Sequence, residues 1–141
     1  MPVTGWKQLA PGYFYTTLAV CLIALTHSEQ FSWRQNVLLI SFGIVSWTAI
    51  EYVLHRFIFH YTARSAFGKK LVYAAHLSHH EMPRTANHFF SSMLLSLPVA
   101  TAYLLIAWIA TGSLRAAALL FAGLTAGYFC YEWLHFQAHH R

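Results

Sequence analysis

Four apolar stretches, at residues 11–26, 37–59, 91–110 and 114–136, decide what this chain can fold into. The second, third and fourth are each close to the ~20 residues an α-helix needs to cross ~30 Å of hydrocarbon. The first is shorter and follows a polar start with one lysine, Lys7, so it has the outline of a secretory leader. It lacks a small-residue cleavage site and more apolar segments follow it, which makes it a retained helix. The expected fold is all-α: an integral membrane bundle of about four transmembrane helices, forming a single domain over residues 1–141. A chain of 141 residues leaves no room for a separate cofactor domain.

Composition points to lipid as the solvent. Hydrophobic residues make up 57% of the chain and charged residues 9%, against the ~25% charged residues of a typical soluble domain. The net charge of +5 does not indicate nucleic acid, because the nine Lys and Arg are scattered between apolar runs and form no basic stripe. Cys21 and Cys130 both lie inside apolar runs, where a thiol is expected to pack as a small buried hydrophobe.

The segment between the second and third stretches has another character. Arg64, Lys69, Lys70, His76, His79, His80, Glu81 and Arg84 crowd it, so it cannot sit in hydrocarbon. An interfacial helix over 67–80 followed by a loop is expected there, and Thr111, Gly112 and Ser113 predict a tight turn joining the third and fourth helices into a hairpin. With four crossings, Lys7, Arg56, Arg64, Lys69, Lys70, Arg84 and Arg141 fall on one side, and Arg34 and Arg115 on the other. The first side is then cytoplasmic, in a bacterial inner membrane or the endoplasmic reticulum.

Ten histidines are unusual in such a chain, because ionisable residues near membrane segments generally serve a site. The same topology gathers His55, His60, His76, His79, His80, His88, His135, His139 and His140 at the cytoplasmic face and leaves His27 outside. His76, His79 and His80 are spaced three and four apart, on one helical face, and His135 and His139 are again four apart. His140 is rotated off that face. His55 and His60 are five apart, so a regular helix would aim them in different directions unless its end unwinds. Glu51 and Glu132 precede His55 and His135 by four and three residues, where carboxylates can accept the second ring N–H of a ligating imidazole.

Other accounts compete with metal binding. Interfacial histidines can anchor a helix, and a clustered basic motif can hold lipid headgroups. A metal transporter would need polar groups through mid-membrane, where the last three helices offer only Ser46, Thr48, Ser96, Thr101 and Thr125. His27 and His88 stand alone and read as structural. Seven or eight imidazoles exceed one four-coordinate zinc site and suit two metal ions better, though imidazole by itself does not choose between iron, zinc, copper and nickel.

EYVLHRFIFH, HLSHHEMP and YEWLHFQAHH resemble the histidine boxes of the fatty acid hydroxylase superfamily, integral membrane di-iron enzymes that include fatty acid 2-hydroxylases and sterol desaturases. The resemblance runs from Glu51 to the end of the sequence. It implies metal ligation by His55, His60, His76, His79, His80, His135 and His139, with His140 as a further candidate, and no catalytic residue beyond the metal centre. It also implies two iron ions, replaceable by zinc on purification, O₂ as co-substrate, and hydroxylation or desaturation of a fatty acyl or sterol-like lipid. The electron donor would be external, a ferredoxin or a cytochrome b5-like protein. The family pattern has a further C-terminal HxxHH box that does not appear before Arg141, so the sequence is expected to be a fragment or a truncated, non-catalytic metal-binding relative. A carotenoid ring hydroxylase is the alternative enzyme reading, because HLSHHEMPR is similar to the second box of that group.

Overall fold

Ser32 opens the second apolar helix with a capping box: its hydroxyl accepts from Gln35 N, and the Gln35 side chain accepts from Ser32 N. Such a cap stabilises a helix start by ~1 kcal/mol and leaves no donor stranded where water ends. The computed structural model, which describes residues 10–73 and 93–140, is all-helical over those residues. Its α-helices are α1 (Ala10–Leu25), α2 (Trp33–Val53), α3 (Ala66–Val72), α4 (Met93–Thr111) and α5 (Leu114–His140), and α2 continues into a π-helical turn, Leu54–Phe59. The expected second helix therefore begins four residues earlier than position 37. The fourth runs four residues past position 136, because nothing from Gln137 to His140 breaks a helix. A short helix, α3, capped by the Ser65 hydroxyl, stands where the helix over 67–80 is expected; residues 74–80 lie outside the described residues.

The central helix is α5, with α1, α2 and α4 packed around it. Ala117, Ala118, Phe121, Leu124 and Tyr128 are buried along its length. By contrast, α2 buries only Gly43 and exposes Val37, Leu38, Phe42 and Val45. In water that face would be an anomaly; against lipid it is the appropriate surface. Trp33–Phe59 and Leu114–His135 are long and apolar enough to cross a membrane, whereas α1 and the Leu95–Thr111 part of α4 are apolar but shorter. Cys21 and Cys130 are exposed, contrary to expectation. Cys130 lines an open groove between α2 and α5, so its thiol is reached from outside the bundle although it lies in an apolar run.

Where lipid tails are as apolar as leucine, burial alone does not hold helices together, and close backbone packing takes over. α2 and α5 meet along a glycine seam. A methyl group at Gly43 would strike the Leu120 carbonyl and come within 2.9 Å of Gly123 Cα, and one at Gly127 would come within 2.8 Å of Trp47 Cβ. Gly123 and Gly127 are four apart, the spacing that lets two helix backbones approach. At the end of the bundle away from His55 and His60, Gly112 adopts φ 64° and turns α4 into α5 as expected. Ser113 Oγ donates to Glu29 Oε2 at 2.6 Å, and Arg115 donates to the Ile23 carbonyl at 2.8 Å, closing the C-terminal end of α1.

Candidate metal centre

The π-helical turn is the departure from a regular helix that His55 and His60, five apart, need in order to share a face. Its hydrogen bonds run from residue i+5 to residue i, as in His60 N to the His55 carbonyl at 3.3 Å. Residues five apart are then about one turn apart, and the two imidazoles meet on one face, tilted 47° to each other with ring centroids at 4.9 Å. Their Nε2 atoms lie 3.2 Å from each other. Sequence spacing treated the helix as regular, and the unwinding it allowed for takes the form of a wider turn.

Glu51 orients this pair. Its carboxylate accepts from His55 Nδ1–H at 3.2 Å, which fixes the tautomer and leaves the Nε2 lone pair of His55 facing His60. Tyr131, on α5, lies beside the same carboxylate, so Glu51 sits between the histidine turn and the central helix. Tyr131 did not stand out in the sequence; its one signal is its place a helical turn before His135. The half-buried His135 ring lies over Tyr131 at 5.5 Å, at the same end of the bundle. Glu132 is buried, with 6% exposure. On the outer face, Arg56 lies over the Tyr52 and Phe57 rings.

The pair fits a metal ion in one measurable respect. Two nitrogens that each lie ~2.0–2.1 Å from a common ion, at tetrahedral to octahedral angles, are roughly 2.9–3.4 Å apart, and 3.2 Å falls in that interval. Among the described residues no group of three or more His, Cys, Asp or Glu is arranged to hold a metal ion. His76, His79, His80 and His88 lie outside the described residues, as do the side chains of His139 and His140 on the last turn of α5. His27, at the opposite end, bonds through Nδ1 to the Ala24 carbonyl at 2.9 Å.

Two hollows adjoin Glu51. One is a cavity of about 270 Å³ between α1, α2, α4 and α5, and the other an open groove of about 580 Å³ between α2 and α5, which His55 lines. Trp47, Glu51 and Tyr131 contribute to the walls of both.

The chain is 33% identical over 128 residues to a dihydroceramide fatty acyl 2-hydroxylase of Arabidopsis thaliana, covering 86% of this chain and 51% of the relative. A second dihydroceramide fatty acyl 2-hydroxylase of that plant is 37% identical over 129 residues, covering 87% and 52%. A fatty acid 2-hydroxylase of Rattus norvegicus is 32% identical over 100 residues, covering 69% and 26%. The chain thus spans about half the length of the plant relatives it matches. No family model and no solved structure matches it. Over the described residues the chain is helical, with two apolar helices of membrane length and a histidine pair at the end of one of them, which suits a membrane protein. Within that class, the chain belongs to the fatty acid hydroxylase superfamily, as its boxes implied.

Proposed function

We propose that this chain carries the membrane and metal-binding part of an O₂-dependent di-iron hydroxylase acting on a fatty acyl lipid. The single observation that carries the proposal is the His55–His60 pair, with its Nε2 atoms 3.2 Å apart and held by Glu51. The names of the relatives, fatty acyl and fatty acid 2-hydroxylases, supply the substrate class and the reaction.

In this reading α1, α2, α4 and α5 all cross the membrane as a single domain, and α3 lies at the cytoplasmic interface with the histidines. His55 and His60 hold one iron ion; His76, His79, His80, His135 and His139, with His140, complete the set. Bound iron supplies the O₂ activation that no protein side chain can provide. The chain's own residues do the rest. Glu51 keeps His55 in the tautomer whose Nε2 is free to ligate. Tyr131 steadies Glu51, and the apolar helices around the adjoining cavity exclude water and hold the lipid in line. Electrons come from an external ferredoxin or cytochrome b5-like donor.

Elemental analysis of the purified chain, paired with mass spectrometry of a fatty acyl substrate incubated under labelled O₂ with a donor system, tests the proposal. The expected result is stoichiometric iron, lost in His79→Ala and His55→Ala, with one labelled oxygen atom in the product. A chain from the full-length protein that binds no metal, or that binds it equally well without His55, overturns the reading.

A further inference from the structure

The 270 Å³ cavity lies near the lower end of the roughly 300–1,000 Å³ found for small-molecule pockets. Glu51 and Tyr131 line it beside the histidine pair, and Tyr15 and Phe121 line its deep end. Phe121 and Tyr131 stand ten residues apart on α5, hence ~15 Å apart along the axis, so the cavity is elongated and runs from the histidine end into the bundle.

Its deep half presents hydrocarbon. The Tyr15 hydroxyl donates to Ser96 Oγ at 2.8 Å, and the Thr125 hydroxyl donates to the Phe121 carbonyl at 2.9 Å, so these groups are already bonded within the protein. Val99, Phe121 and Leu124 around it make an apolar guest the better fit. The floor is aromatic and fixed: Phe121 is 1% exposed, and the Tyr15 ring stands edge-on to it at 6.4 Å and to Tyr128 at 6.2 Å. The Tyr15–Ser96 bond also ties α1 to α4 across the cavity's end.

We infer that this cavity receives the hydrocarbon tail of the substrate and that the Tyr15–Phe121 floor sets the chain length it accepts. The inference rests on the hydroxylase reading for the identity of the ligand, but filling the cavity requires no metal.

The test uses the full chain in phosphatidylcholine nanodiscs and a series of saturated fatty acids of increasing length, each with a photoactivatable diazirine at its terminal carbon. Labelled residues are mapped by mass spectrometry. One chain length is expected to label the floor, at Tyr15, Phe121 or Thr125, more than its neighbours in the series. Phe121→Ala should move that optimum to chains longer by about two carbons, the room a missing aromatic side chain leaves. Val99→Phe, which fills the cavity from α4 without touching the floor, should shorten the optimum or abolish floor labelling, and it decides the matter if Phe121→Ala does not fold. Labelling confined to lipid-facing residues such as Phe42 and Val45, or an unchanged length profile in a folded variant, overturns the inference. Floor labelling without turnover would count against the hydroxylase reading alone, and turnover without floor labelling against the tail cavity alone.

Discussion

His60 Nε2 lies 3.2 Å from His55 Nε2 across a single π-helical turn, although the two residues are five apart in sequence. The separation matches two ligands of one ion, and it depends on the width of the turn.

That dependence can be tested by changing the register. Deleting Ile58 leaves the histidines four apart, neighbours on an ordinary α-helix. Inserting an alanine after Ile58 leaves them six apart, on different faces. Metal content of the purified chain should largely survive the deletion and fall sharply with the insertion. Equal losses in both would mean that the turn matters for something other than pairing these rings.

Glu51→Gln removes the carboxylate that accepts from His55 Nδ1–H. Loss of such a supporting partner typically weakens metal binding by ~10–100-fold, and competition with a chelator should show a drop of that order with helicity unchanged. Tyr131→Phe, which removes the hydroxyl on the α5 side of Glu51, should weaken binding in the same direction by less.

The glycines separate two kinds of cost. Gly43→Ala sets a methyl group against the backbone of α5 and should destabilise the bundle by ~1–3 kcal/mol through overpacking. At Gly112 a methyl group would meet nothing within 4 Å, so Gly112→Ala carries only the left-handed backbone cost, ~1–2 kcal/mol. Thermal unfolding in detergent should show both losses. Only Gly43→Ala should also lower metal content, because Gly112 is at the far end of the bundle.

Glu29→Ala and Ser113→Ala both break the exposed bond between the α1–α2 connection and the α4–α5 turn, and Ser113→Ala also removes the hydroxyl that accepts from Ala116 N at the start of α5. Each should cost ~0.5–1.5 kcal/mol, and the double variant no more than the larger single. Metal content should be unaffected; a loss would show that the two ends of the bundle are coupled.

Much of this architecture was legible in the sequence. Hydropathy located four apolar helices to within a few residues, because length and the absence of charge are local properties. The Thr111–Ser113 turn was equally clear, since Gly112 supplies the positive φ. The alliance of Glu51 with His55 followed from i,i+4 spacing. What escaped were features with no periodic signature: the π turn, which a 100° rule cannot represent, and the place of Tyr131 beside Glu51, which depends on how α5 lies against α2. The exposure of Cys21 and Cys130 escaped for a related reason: an apolar run reveals that a residue avoids water, but not whether helix or lipid covers it.

The glycine seam turns α2 into a lever. Gly43 is the fulcrum, pressed against the α5 backbone, and His55 rides twelve residues further on, ~18 Å along the axis. At that radius a tilt of about 3° at the seam carries the imidazole about 1 Å, a displacement on the scale that can cost a catalytic centre ~100-fold in rate. The smallest side chains in the bundle, well removed from the histidines, therefore hold the tightest tolerance on where the histidines stand.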